Sequence, residues 1–217
     1  GKIMLFYLAP MEGITGYIVR NAYAHYFPYI DKYFTPFIPA AKKMSKKIKR
    51  DLAAENNGQI RLVPQLIGNR ADEFLMMIRQ LEELGFTSVN LNFGCPSGTV
   101  VSKRKGAGFL ADPKELEMLL EEVVENSPLA VSVKTRVGIK DPDEWEALCG
   151  VYAKFPLEEL IIHPRLQKDY YSGTPRMETF ARALEQIHVP LCYNGDICSV
   201  EAVSYTHLRA HETELHL

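Results

Sequence analysis

The stretch Val89-Asn90-Leu91-Asn92-Phe93-Gly94-Cys95-Pro96-Ser97-Gly98 places two amides and a thiol where an apolar run gives way to a Gly- and Pro-rich turn. Strand alternation puts Asn90 and Asn92 on one face. Most cysteines are small buried filler, but a turn at a strand end is a poor place for filler. Two roles suit Cys95: a thiolate nucleophile or a neutral acid. An ordinary thiol, with a pKa of about 8.5, is mostly protonated at neutral pH and so favours proton donation. Spacing alone leaves both open.

Further groups recur at similar places. Lys134 and Arg136 lie two apart after an apolar run, as do His163 and Arg165. Both pairs therefore share a strand face, near any anion bound there. The run from Lys42 to Arg50 carries six cations in nine residues, and Lys103-Arg104-Lys105 adds three. Such runs are usually solvated surface, but here they could follow a phosphate backbone. Tyr17, Tyr33, Phe34, Tyr170 and Tyr171 could stack on bases or serve as core.

The elements that position these groups alternate. Strands read at 3–8, 32–37, 62–67, at the stretch above, and at 129–133, 160–162 and 190–193. Helices lie between them: one opened by Thr15, one carrying Phe74, Met77, Ile78, Leu81 and Leu84, and one opened by Asp112-Pro113-Lys114-Glu115 as a capping box. Two more open at Asp141-Pro142-Asp143-Glu144 and Thr174-Pro175. This order implies parallel strands with right-handed crossovers. Met11, Gln65, Asn92, Lys134, His163 and Asn194 would meet at one end of a barrel, whereas a doubly wound sheet would gather them at its switch point. The reading is thus α/β, an incomplete (β/α)8 TIM-type barrel with about seven mostly parallel strands.

Length (217 residues), 47% hydrophobic and 24% charged residues describe an ordinary globular chain. A net charge of −2 gives no global sign of a nucleic-acid binder. Cysteines at 95, 149, 192 and 198 show neither metal spacing nor disulfide density. No signal peptide or long apolar run is read, so the expectation is a reduced, cytoplasmic protein without a membrane segment.

Several segments, in order, resemble the tRNA-dihydrouridine synthase family: Ala9-Pro10-Met11-Glu12-Gly13-Ile14-Thr15, Pro64-Gln65-Leu66, Asn90 to Pro96, Lys134-Thr135-Arg136, His163-Pro164-Arg165 and Asn194-Gly195-Asp196. The resemblance implies FMN held by Pro10, Met11, Glu12, Gln65, Lys134, His163, Asn194, Gly195 and Asp196. It implies Asn92, Arg136 and Arg165 on the substrate and Cys95 as proton donor. The implied reaction is reduction of uridine to 5,6-dihydrouridine in tRNA. Hydride passes from flavin N5 to uracil C6 while Cys95 protonates C5; NADPH is the reductant, and no stable protein partner or metal is implied.

Two departures stand out. His163-Pro164-Arg165-Leu166 replaces the family's His-Gly-Arg-Thr. Residues 1–203 read as a truncated catalytic barrel and 204–217 as a non-native tail, with the family's helical RNA-binding domain absent. The expectation is an open barrel whose edges are the first and seventh strands, with weakened FMN binding. Two alternatives stand beside this reading: a barrel lyase forming a Schiff base on Lys134, and a non-catalytic RNA-binding remnant.

Overall fold

The computed structural model describes residues 5–58, 60–195 and the backbone of 213–216. Strands are β1 (Leu5–Leu8), β2 (Lys32–Phe34), β3 (Ile38–Pro39), β4 (Leu62–Val63), β5 (Gln65–Ile67), β6 (Ser88–Phe93), β7 (Ala130–Arg136), β8 (Leu160–His163), β9 (Leu191–Asn194) and β10 (Thr213–His216). Helices are α1 (Tyr17–Tyr26), α2 (Lys46–Leu52), α3 (Ala54–Asn57), α4 (Ala71–Glu83), α5 (Gly98–Val101), α6 (Pro113–Asn126), α7 (Glu144–Tyr152) and α8 (Met177–Gln186).

Every ladder is parallel, in the order β3-β5-β6-β7-β8-β9-β10-β1-β2-β4. The two ends of that order are β3–β5 and β2–β4, and β4 and β5 are halves of one strand split at Pro64, which has no N–H to donate. The sheet therefore closes into a barrel. A doubly wound sheet, which would leave two edges, is excluded.

Seven strand positions are filled before residue 195. Thr213–His216 lies in the remaining gap, pairing with β9 through Thr213 and Leu191 and with β1 through Leu5 and Glu214. The expectation of open edges at β1 and β9 is corrected: both are paired.

One apolar cluster lies between barrel and helices, where α4 supplies Phe74, Met77, Ile78 and Leu81 and α6 supplies Leu116, Leu119, Leu120 and Val123. A second, formed by Tyr7, Phe34, Val63, Ile161 and Cys192, fills the barrel interior. Beside it Lys32 Nζ meets Glu159 Oε1 at 2.7 Å, and Tyr7 Oη donates to Glu159 Oε2 at 3.0 Å. That pair closes the barrel floor with its charges matched.

Helix starts depart from expectation in instructive ways. Thr15 is not the cap of α1: Gly16 takes that position, and Asp51 Oδ1 accepts the Tyr17 N–H at 2.8 Å. Asp112 caps α6 as expected, accepting from Lys114 and Glu115 N–H, but Glu115 closes no box and pairs with Arg104 at 2.7 Å. Leu84 is 48% exposed just past α4, not inward.

Candidate active site

A cavity of about 570 Å³ opens at the C-terminal ends of the strands. Its wall includes Ala9–Glu12 after β1, Gln65, Asn92, Cys95, Lys134, Arg136, His163, Arg165, Tyr170, Tyr171, Asn194 and Gly195. Asp196 lies outside the described residues. Groups spread over most of the chain thus converge at the end where barrel sites form.

The Cys95 turn is held from beneath. Asn92 Oδ1 accepts the N–H of Gly94 at 3.0 Å and of Cys95 at 2.9 Å. Its Nδ2 donates to Gln65 Oε1 at 2.9 Å, and Gln65 Nε2 donates to Asn90 Oδ1 at 2.9 Å. Asn90 Nδ2 donates in turn to Ser132 Oγ at 2.9 Å. Gly106, at φ +55°, crosses the turn so closely that a Cβ would lie 2.8 Å from the Cys95 carbonyl oxygen. Ala107 N–H binds that oxygen at 3.0 Å.

Burial pushes the half-buried Cys95 thiol above its ordinary pKa. The Ser97 N–H and the cations Lys134 and Arg136 pull it down, while Glu12 adds to the rise. The net direction keeps a neutral S–H at physiological pH, as a proton donor needs.

Lys134 is lowered to about 8, by burial first and by Arg136 second. Glu12 is the one carboxylate among the described residues that line the cavity. His163 is driven down to about 2 by burial and by Lys134, Arg136 and Arg165. The cavity therefore combines several cations with one exposed acid and a neutral imidazole, an environment for an anionic or electron-rich ligand.

Arg136 and Arg165, expected on the substrate from the family resemblance, line the cavity but are 1% exposed, with most of their donors given to backbone carbonyls. Arg136 donates to the carbonyls of Gly94 (2.9 Å), Leu166 (3.0 Å) and Tyr170 (2.6 Å). Arg165 donates to Ser172 and Gly173 carbonyls at 3.3 and 2.7 Å. These bonds fold the segment after β8 into a wall. Gln167 Nε2 pins that wall to the Pro96 carbonyl at 3.0 Å, and Asp169 pairs with Arg176. Tyr170 and Tyr171 stand on it, 47% and 73% exposed.

The family model described as "Dihydrouridine synthase (Dus)" matches residues 7–211, nearly the whole chain. The chain belongs to the dihydrouridine synthase family. Its relatives include tRNA-dihydrouridine synthase B of Pasteurella multocida, 28% identical over 92% of this chain, and the tRNA-dihydrouridine(16) synthase of Pseudomonas putida, 29% identical over 89%. The chain spans 60% and 62% of those two proteins' own length. Among solved structures, the old yellow enzyme homologue of Zymomonas mobilis superposes with TM-score 0.61 at 9% identity, covering 98% of this chain and 84% of that one. That likeness speaks to the barrel alone. The family match runs past the boundary expected at 203, to residue 211.

Against the family motif, Leu166 is fully buried in the outer core and does not reach the cavity. Tyr33 and Phe34, candidate stacking residues, are buried too, at 2% and 0% exposure, so base stacking by them is ruled out. The basic run leads into α2, capped by Ser45, with all six of its cations exposed. Ser132, Gly106 and Gln167 belong to the site but are not legible as such in the sequence. The one available signal is Ser132, a lone polar residue inside the apolar run Leu129–Val133.

Proposed function

We propose that this chain carries the catalytic barrel of an FMN-dependent enzyme that reduces uridine to 5,6-dihydrouridine in tRNA, with NADPH as reductant. The observation that carries the reading is Lys134: a half-buried cation, lowered to about 8, at the cavity wall with no carboxylate paired to it among the described residues. An electron-rich ring that gains negative charge on reduction fits that uncompensated cation. The donor set also fits a flavin's polar edge, with amides from Gln65, Asn92 and Asn194 around the same cavity. Bound there, FMN supplies the hydride.

The chain's own residues do the rest. Backbone and side chains of Pro10, Met11 and Glu12, with Gln65, Lys134, His163, Asn194, Gly195 and Asp196, hold the cofactor. Asn92 orients the uracil with its remaining amide hydrogen, and Cys95 donates a proton to C5 of the base. Arg136 and Arg165 act through charge and through the wall they fold. The uridine must leave its stack to enter a cavity at the barrel mouth.

The tRNA backbone would follow the exposed cations. Lys42, Lys43, Lys46, Lys47, Lys49 and Arg50 lie in the segment after β3, and Lys103 follows β6. The Asn69 side chain, in the loop after β5, ties that loop to the Lys103 segment by donating to the Lys103 carbonyl at 3.0 Å. The names of the two relatives, both tRNA-dihydrouridine synthases, support the same substrate.

The test is dihydrouridine formation in unmodified tRNA by the FMN-saturated chain, in the wild type and in Cys95→Ala. A lyase on Lys134 would instead be trapped by borohydride with a carbonyl substrate, without flavin.

A further inference from the structure

A buried hydrogen-bond chain runs beneath the cavity with one fixed direction. It starts at the N–H groups of Gly94 and Cys95, which can only donate, and so Asn92 must present its oxygen to them. The Asn92 amide hydrogen then needs an acceptor, Gln65 Oε1, which turns Gln65 Nε2 toward Asn90 Oδ1. Asn90 Nδ2 meets Ser132 Oγ, whose hydrogen goes to the Val89 carbonyl at 3.3 Å. That carbonyl can only accept. Donors close one end and an acceptor the other, so no amide along the chain can flip without breaking bonds at both sides.

Gln65 and Asn92 face the cavity; Asn90 and Ser132, at 0% and 1% exposure, lie under them and do not. We propose that Asn90 and Ser132 are positioning residues: through Gln65 and Asn92 they set which amide atoms meet the ligand, and they hold the Cys95 turn in place. For the identity of the ligand this rests on the flavin reading; for the turn it does not.

The functional consequence follows from the turn. Burial disfavours the Cys95 thiolate most; the Ser97 N–H, Lys134 and Arg136 favour it, while Glu12 opposes it. When the hydrogen-bond chain is broken at Ser132, the turn that carries the thiol is freed, and the burial, N–H and charges that set its ionisation act on it from altered positions.

The experiment compares Ser132→Ala, Ser132→Thr and Asn90→Leu with the wild type by two readouts. The first is FMN affinity from flavin fluorescence quenching. The second is the pH midpoint of iodoacetamide alkylation at Cys95, mapped by mass spectrometry on the FMN-free protein. Ser132→Ala and Asn90→Leu should weaken FMN about three- to tenfold, as expected for one neutral buried hydrogen bond, and shift the alkylation midpoint. Ser132→Thr, which keeps the hydroxyl, should restore both. A folded Ser132→Ala or Asn90→Leu protein with unchanged affinity and midpoint overturns the proposal, as does a variant that loses thermal stability alone. If the wild type binds no FMN, the flavin reading fails, and the alkylation midpoint alone decides the positioning role.

Discussion

Arg165 Nη1 lies 3.0 Å from Nε2 of His163. A guanidinium does not lose its proton, so it must donate, and Nε2 must be the unprotonated nitrogen. The imidazole is therefore neutral, with its hydrogen on Nδ1. This agrees with the strong downward shift from burial and from the surrounding cations Lys134, Arg136 and Arg165.

That shift makes stability depend on pH. The unfolded chain binds a proton at this residue below about 6.5, while the folded chain resists doing so to about 2. In that window the unfolded state holds more protons, so stability falls as pH falls. His163→Gln should flatten the loss of stability between pH 7 and 5, measured by urea unfolding at each pH. An equally steep loss in the variant would assign it to other groups.

Lys134 has the same kind of shift at higher pH. Its amine drops from 10.5 to about 8 on folding, so its burial opposes folding fully below pH 8 and less as pH rises toward 10.5. Lys134→Met should stabilise the ligand-free chain at pH 7 by about 1–3 kcal/mol. It should also raise the Cys95 alkylation midpoint, because a cation that favours the thiolate is gone, and it should weaken FMN binding.

Leu166 stands where the family motif has Thr, but its side chain is buried in the outer core. Leu166→Thr should therefore place no hydroxyl in the cavity. It should lower stability by about 2–4 kcal/mol through poorer packing and a buried hydroxyl, read as a lower denaturation midpoint.

Gly106 has positive φ and lies against the Cys95 carbonyl and Cβ. Gly106→Ala should cost about 1–3 kcal/mol through backbone strain and displacement of the turn. A change in Cys95 alkylation rate should accompany it; unchanged alkylation would show that the turn yields elsewhere.

On the rim, Lys46→Glu with Lys47→Glu should weaken tRNA binding and reduce the magnitude of its salt slope by about one for each phosphate no longer neutralised. A titration across salt concentrations, with an unchanged slope, would place the RNA on another face.

Much of the barrel is legible in the sequence because its strands and helices alternate and their polar ends recur in order. Asn92, Lys134 and His163 can be placed at strand ends from alternation alone. The split of β2 from β3 and of β4 from β5 comes from local backbone breaks at Thr35–Phe37 and Pro64. What pattern does not show is which donor meets which acceptor. Arg136 and Arg165 read as cations near the ligand and do line the cavity, but pattern does not show that most of their donors go to carbonyls, many of them in a loop that has no periodicity. Likewise Asp51, far from α1 in the chain, caps that helix because Arg20 draws it in at 3.0 Å. Ser132 stands out as a lone polar residue in an apolar strand, but its partner Asn90 is set only by the β6–β7 pairing.

Cys95 as the proton donor of a flavin-dependent uridine reduction is the claim on which the rest depends. The direct measurement is the dihydrouridine content of tRNA after incubation with FMN-saturated chain and NADPH, wild type against Cys95→Ala, with bound flavin checked in both. Dihydrouridine is expected from the wild type and not from the variant, while flavin remains bound in each. Equal product from both, or none from a flavin-saturated wild type, would contradict that role.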